Sequence, residues 1–268
     1  MKNIIFMDID GTLVKHIDGH DFVPESAKNA ISETRKRGNL VYLCTGRSLA
    51  EIGDLQNIGF DGMIAGAGCY IATDQVIAHR TFLQQEIEEL LWFLNQHQIC
   101  YYLECNDGLY CLQQAKEFMI REIFHGQSDG DFISLLKPLV NCPLDKVNKI
   151  SFISLKLSYD EIERQLQEKY QLVRASWGPE FDQAGEISQK GINKAMAMQT
   201  LLKHLNLDDI RTFAFGDSMN DREIFESVDV AIAMGNSSHG IEQYANFITK
   251  DVLDDGIAYA MKKYQLIG

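Results

Sequence analysis

Asp8 and Asp10 stand two positions apart at the end of an apolar run that begins at Asn3. On an extended chain alternate residues share a face, so both carboxylates point the same way. Gly11, next to them, allows a sharp turn. Two more carboxylates, Asp217 and Asp221, lie in the polar turn Gly216-Asp217-Ser218-Met219-Asn220-Asp221. Four carboxylates meeting in a dry crevice cannot all ionise without a counter-charge. An all-oxygen donor set of this kind suits Mg²⁺, which keeps several waters and bridges to a substrate phosphate. Beside such an ion a carboxylate can attack phosphorus and form an acyl phosphate, splitting one hard step into two. The like charge raises the pKa of Asp10, which then fits it to protonate a leaving alkoxide and later deprotonate water. Thr45 offers a hydroxyl and Gly46 a closely approachable N–H to phosphoryl oxygens. Lys194 supplies a point charge from the start of a helical pattern, and Lys190 competes with it on local grounds. Taken singly, each Asp also fits a turn or a helix N-cap. Their placement after separate strands is what argues for one site.

The elements that must position these residues follow from hydrophobic periodicity. The runs Asn3–Ile9, Leu40–Cys44, Gly62–Ala65, Thr212–Phe215 and Val228–Met234 have the length and continuity of parallel strands buried on both faces, and Phe247–Thr249 adds a short one. Asp18-Gly19 marks a short hairpin within residues 13–23. Pro24 opens a helix that stops at Arg37-Gly38. A second helix ends near Ile52, and a third covers 193–205. Alternating strands and helices imply a parallel sheet with right-handed crossovers. Such sheets bind ligands at the carboxyl ends of their strands, where Asp8–Thr12, Thr45–Arg47 and Gly216–Asp221 fall.

The texture changes after residue 78. A helix over 85–97 carries Ile87, Leu90, Leu91 and Leu94 on one face, and Tyr101–Glu104 and Leu109–Leu112 flank Asn106-Asp107-Gly108 as a hairpin. A further helix, a poorly patterned stretch over 125–145, a strand over Val147–Leu155, a helix over 160–170 and a hairpin around Trp177-Gly178-Pro179 complete an α+β module. The expected fold class is therefore α/β. A Rossmann-like parallel-sheet core (1–78 and 188–268) carries an inserted α+β cap (79–187), as tolerated at an exposed loop.

The chain has 268 residues, with 25 basic against 38 acidic side chains and a formal charge of −13. That balance argues against nucleic acid, whose binders need a net basic face. No run approaches the roughly 18–20 apolar residues of a membrane span. The N-terminal apolar stretch is too short for a signal-peptide core. The six cysteines contain no C-x-x-C pair and read as reduced thiols, so a cytoplasmic setting is expected. The partner this leaves is a small phosphate ester; oligomeric state is open.

Asp8-Ile9-Asp10-Gly11-Thr12 resembles the first signature of the haloacid dehalogenase superfamily of aspartate-nucleophile phosphatases. Thr45-Gly46-Arg47 resembles the second, Gly191-Ile192-Asn193-Lys194 the third, and Gly216–Asp221 the fourth, in the G-D-x-x-N-D form of the Cof-type branch. The likeness extends through Val230–Asn236 and Asp254-Asp255-Gly256-Ile257-Ala258. It implies Asp8 as nucleophile and Asp10 as general acid/base. It implies Mg²⁺ held by the Asp8 side chain, the Asp10 carbonyl and Asp217. Thr45, Gly46, Lys194 and Asn220 would bind phosphate, with Asp221 behind them. It also prefers Lys194 over Lys190. Ala195 stands where a Gly is frequent, and Gly66-Ala67-Gly68 where relatives often show Asn-Gly. The cap is expected to close over the site and read the leaving group, with Arg47, Glu104, Arg174, Trp177 and Asp182 as candidate contacts. The activity implied is Mg²⁺-dependent phosphate ester hydrolysis. A sugar phosphomutase and a non-enzymatic phospho-aspartate switch are the alternatives.

Overall fold

The computed structural model describes residues 2–17, 20–126, 130–175 and 183–268. Contacts divide the chain into two compact units, Met1–Gly46, Ile52–Ala78 and Asn193–Gly268 in the first, Arg47–Glu51 and His79–Ile192 in the second.

The first unit begins with β1 (Lys2–Met7), whose Ile4, Ile5, Phe6 and Met7 are fully buried. A hairpin of β2 (Lys15–Ile17) and β3 (His20–Phe22) follows, then α1 (Glu25–Lys36). Pro24 sits at the N-cap of α1, and Glu25 in its first turn and Arg35 and Lys36 in its last are favourable to the helix dipole. Its buried face is Ala27, Ala30, Ile31 and Thr34. Then come β4 (Leu40–Cys44), α2 (Leu49–Ile52), β5 (Gly62–Ala65), β6 (Tyr70–Ala72) and β7 (Val76–His79).

The second unit contains α3 (Gln84–Gln96), β8 (Cys100–Cys105), β9 (Gly108–Cys111), α4 (Gln113–Glu122), α5 (Asp131–Leu135), β10 (Leu136–Pro138), β11 (Lys149–Ile153), α6 (Tyr159–Leu166), β12 (Tyr170–Arg174) and β13 (Ala184–Gln189). Its six-stranded sheet runs β10-β9-β8-β11-β13-β12. One face packs Tyr101, Leu103, Ile150, Phe152 and Ile187 against Ile87, Leu90 and Leu94 of α3 and Ile162 of α6. The alternate residues of the central strands, Glu104, Lys149, Ser151 and Glu186, fall on the opposite face by strand periodicity. The expected Asn106-Asp107-Gly108 turn differs in detail. Gly108 already pairs with Cys105, so the loop is Asn106-Asp107 alone. A Cβ on Gly108 would lie 2.8 Å from the end of the cross-strand Lys137 side chain, which would have to shift to make room.

The chain returns to the first unit with α7 (Lys194–Leu205), β14 (Ile210–Gly216), α8 (Arg222–Phe225), β15 (Val230–Ala233), β16 (Phe247–Ile248) and α9 (Gly256–Lys263). The eight-stranded sheet has the order β16-β15-β14-β1-β4-β5-β6-β7. β16 to β5 pair in parallel, and β6 turns back antiparallel on β5. Ile5 and Met7 enter the apolar cluster on one face with Ile31 and Met261, while Ile4 and Phe6 enter the one on the other face with Met198 and Leu201. Burial on both faces explains the continuous apolar run.

Residues 188–192, expected with the core, group with the second unit, as does Arg47–Glu51. β13 continues to Gln189, whose amide donates to Thr81 O at 2.6 Å. Among the described residues no helix is long and apolar enough to cross a membrane.

Candidate active site

The order of the large sheet reverses at β1, which lies between β14 and β4. Met7 is level with Phe215 on one side and Leu43 on the other. Asp8 therefore leaves the sheet beside Gly216 and Cys44, and Thr45 and Asp217 continue from those neighbours. This is the crevice where open α/β sheets place ligands. The Asp8 N–H still donates to Phe215 O at 3.1 Å, so the carboxylate is delivered on a backbone held in the ladder.

Lys194 is the first residue of α7, behind an Asn193 N-cap whose side chain accepts from Met196 N at 2.7 Å. Its ammonium lies 2.8 Å from Asp8 Oδ1 and 2.6 Å from Asp221 Oδ1, with all three side chains buried. The other oxygen of Asp221 accepts from the N–H groups of Asp217 at 3.1 Å and Ser218 at 3.4 Å. Asp221 thus ties the fourth-motif turn to the lysine. Carboxylate oxygens of Asp8, Asp217 and Asp221 all lie within 4.8 Å of one another. Gly11, at φ +70°, is pressed onto this group: a Cβ there would fall 2.2 Å from Asp217 Oδ2. Asn236 braces the same loop, donating to Gly11 O at 2.7 Å and accepting from Val252 N at 3.1 Å.

The electrostatics are unbalanced. Burial works against a charge on Lys194, yet Asp221 and Asp8 outweigh it and hold the lysine protonated. Burial raises Asp8 well above the ordinary carboxylate range; Lys194 opposes this, and Asp221, Asp217 and Asp10 add to it. Burial and the Asp221 charge push Asp217 up to about 7. Three carboxylates against one ammonium leave a surplus of negative charge, which a hard divalent cation with oxygen preference would discharge. The donor set present therefore fits Mg²⁺.

Thr45 is fully buried, and its carbonyl accepts from Ala67 N at 3.0 Å, which draws the Gly66-Ala67-Gly68 turn onto the second motif. Ala67 sits at φ 54° and Gly68 at φ +110°; a Cβ on Gly68 would lie 2.5 Å from Asn193 O. That turn therefore abuts the start of α7 and helps seat Lys194. Gly46 has open space around its Cα, with nothing within 4 Å of a built Cβ.

Asp10, whose charge is felt by both Asp8 and Asp217, has a partner in the hairpin that follows it. Its carboxylate meets His16 Nε2 at 2.8 Å, and His16 Nδ1 meets Asp21 at 2.9 Å. Hydrogen bonds to Asp10 and Asp21 raise His16 to about 9 against the opposing effect of burial. Asn220 is exposed, and its side-chain oxygen accepts from Ser218 Oγ at 2.9 Å. Lys190 belongs to the second unit, where its ammonium donates to Gln167 O and Glu168 O at 2.9 and 3.1 Å.

Of the expected leaving-group contacts, Arg47 donates to Glu51 O at 3.3 Å. Glu104 is buried, accepts from Ser151 Oγ at 2.7 Å and lies 3.3 Å from Lys149 Nζ, which also meets Glu186 at 3.0 Å. Arg174 pairs with Asp160 at 2.5 Å and covers the Tyr159 ring at 4.2 Å. Trp177 and Asp182 lie outside the described residues. His16 and Lys149 were not foreseen, and Asn236, the last residue of the Val230–Asn236 likeness, was given no role. For Lys149, alternation along β11 opposite Glu104 was the available signal.

Residues 5–261 match the family of haloacid dehalogenase-like hydrolases. The chain belongs to that family. Among curated relatives of this hydrolase, YkrA of Bacillus subtilis is 28% identical over 272 residues, covering 99% of both chains. The HMP-PP phosphatase of Escherichia fergusonii is 26% identical over 243 residues, 88% of this chain and 85% of that one. Two solved structures share the fold. BT1666 of Bacteroides thetaiotaomicron, from a study of haloalkanoate-superfamily phosphatases, aligns with TM-score 0.81 at 20% identity over 100% of this chain and 96% of its own. BT4131, described as a subclass IIB sugar phosphatase, aligns with TM-score 0.78 at 22% identity over the whole of both chains.

Proposed function

We propose that this hydrolase is a Mg²⁺-dependent phosphatase acting on a small phosphorylated metabolite, a sugar phosphate or similar ester, through an aspartyl-phosphate intermediate. The observation that carries the reading is the meeting of Asp8, Lys194, Asp221 and Asp217 at the strand-order reversal.

In this reading Asp8 and Asp217 would hold Mg²⁺ with the Asp10 main-chain carbonyl. The ion would supply charge neutralisation for the incoming phosphate. Lys194 engages one oxygen of Asp8 and orients the carboxylate. The other oxygen attacks phosphorus; the new O–P bond forms as the P–O bond to the leaving group breaks, and Asp10 transfers its proton to the departing oxygen. Water then attacks the phosphoryl group and gives a proton to the Asp10 carboxylate. The Asp8–phosphorus bond breaks, releasing inorganic phosphate and restoring both side chains. Thr45, Gly46 and Asn220 are assigned to the phosphoryl oxygens, and Lys194 adds its charge there. Glu104, a buried carboxylate on the polar sheet face of the second unit, is our candidate for selecting the leaving group.

The test is phosphate release from a panel of phosphorylated sugars, nucleotides and cofactors, with the wild type and Asp8→Asn compared. Asp8→Asn should retain less than about a hundredth of the wild-type kcat/KM. Higher retention removes the nucleophile assignment. Glu104→Gln should reorder the panel. Activation by a sugar bisphosphate, with isomer formed in place of free phosphate, would instead indicate the mutase.

A further inference from the structure

Asp10 carries its carboxylate on a side chain that is about half exposed, 47%, so solvent alone would leave it several rotamers. The structure removes that freedom. His16 Nε2 lies 2.8 Å from Asp10 Oδ1 and His16 Nδ1 lies 2.9 Å from Asp21 Oδ1. Both ring nitrogens thus face carboxylates, which can only accept when ionised. Flipping the imidazole would put carbon where each nitrogen now is, so the ring has one good orientation.

The stem beneath the ring is fixed as well. His16 pairs directly with Asp21 across the β2–β3 hairpin. The hairpin leaves the Asp10 loop through a tight turn. Gly11 N donates to Val14 O at 3.0 Å, and Leu13 N and Val14 N both donate to Ile9 O at 2.9 Å. Leu13 and Val14 are buried in the core. An exposed pair of this sort contributes little stability, about 0–1 kcal/mol. A reacting group misplaced by an ångström, by contrast, loses rate steeply. The arrangement is worth more as an orienting device than as a structural tie.

We propose that His16 is a positioning residue, and that the Asp21–His16–Asp10 chain holds the Asp10 carboxylate in the orientation from which it serves the ester oxygen. This rests on the acid/base reading of Asp10 given above.

The experiment compares two leaving groups. One is the sugar phosphate that the wild type turns over fastest, whose alkoxide needs a proton. The other is p-nitrophenyl phosphate, whose phenolate needs little help. Leaving-group release is followed in a single turnover with enzyme in excess, which isolates the first chemical step. His16→Ala should slow release from the sugar phosphate by about tenfold or more, a fraction of what general acid catalysis supplies. The loss should be several-fold smaller for the aryl ester, with KM little changed. His16→Gln, which can still present an N–H to Asp10, should recover part of the rate. In an Asp10→Asn background His16→Ala should cost nothing further. Equal losses on both esters, or a full additional loss in the Asp10→Asn background, would overturn the proposal. Relative to the wild type, the ¹⁵N resonance of His16 Nε2 should shift in Asp10→Asn, and an unmoved Nε2 signal also overturns it. Should Asp10→Asn keep sugar-phosphate turnover, the acid/base reading falls and His16 with it. Should Asp10→Asn be inactive while His16→Ala matches wild type, His16 alone is removed.

Discussion

Asp217→Asn separates the charge argument from catalysis. In the metal-free chain, burial and Asp221 raise Asp217 from an ordinary 3.8 to about 7. Between those values the folded state binds a proton that the unfolded state does not. Stability therefore falls as pH rises through that window, and the full cost is present above it. At about 1.4 kcal/mol per pKa unit the cost is a little over 4 kcal/mol. Asparagine keeps the size and removes the charge, but its amide must find partners. The net gain at pH 8 in EDTA should be about 2 kcal/mol, or roughly 4–8 °C in the melting of a unit this size. Mg²⁺ acts in the opposite sense. At a hundred times its Kd it stabilises the wild type by about 2.7 kcal/mol, and that increment should vanish in the variant. Thermal melts at pH 8 with EDTA or Mg²⁺ read both effects without substrate. A variant that loses stability in EDTA, or keeps the wild-type response to Mg²⁺, would refute the reasoning.

Lys194→Ala leaves two buried carboxylates without their ammonium and should cost about 3–5 kcal/mol in urea denaturation, along with phosphatase activity. Lys190→Ala removes only exposed bonds to carbonyls and should stay within about 0.5 kcal/mol; the reverse order would show that the third motif is misassigned. Gly68→Ala places a Cβ 2.5 Å from Asn193 O at φ +110°, so it should cost about 1–3 kcal/mol of strain and lower kcat by displacing Lys194. For His16, raised from 6.5 to about 9, the pair's contribution is complete below pH 6.5 and is lost as pH rises through 9. Because the ring is more than half exposed, screening limits that contribution to about 1 kcal/mol. The urea-stability gap between wild type and His16→Gln should therefore close by about pH 10, and a constant gap would contradict the pairing.

The sheet strands were readable because two-sided burial leaves an uninterrupted apolar run, as in Ile4–Met7 and Val230–Ala233. Asp8, Thr45 and Asp217 were readable for a related reason: each follows such a run, and a parallel sheet brings those ends together. Lys194 and Lys190 have equal local credentials; the family resemblance prefers Lys194, which meets Asp8 and Asp221, while Lys190 finds its partners in the second unit. β6 and β7 carry no such run. Val76 is exposed, and β6 is only three residues long. His16 escaped notice because its bond to Asp10 depends on how far the hairpin folds back over the turn, which strand propensity does not encode. Glu104 was singled out by residue type. Its pairing with Lys149 was hidden because reading Val147–Leu155 as a strand does not say which strand lies beside it, and only that register sets Lys149 opposite Glu104.

The site asks the fold to do something costly: to keep like charges together with Lys194 as the ammonium that bridges two of them. A loop free to relax would let Asp8 and Asp217 drift apart. The sheet prevents this because β1 is gripped from both sides, Ile5 and Met7 in one apolar cluster and Ile4 and Phe6 in the other. Each such side chain is worth about 1.5–3 kcal/mol when fully buried, so the four on β1 together exceed the roughly 4 kcal/mol that burial and the neighbouring charges cost an ionised Asp217. Gly11 closes the remaining gap by letting backbone, and no side chain, meet Asp217. The same surplus of negative charge explains how a chain of net charge −13 can accept an anion. The chain's own cation, Lys194, is already committed to Asp8 and Asp221. On the function proposed above, an ion recruited by the carboxylates supplies most of the attraction for phosphate and Lys194 adds to it, so affinity for substrate and affinity for metal should rise and fall together.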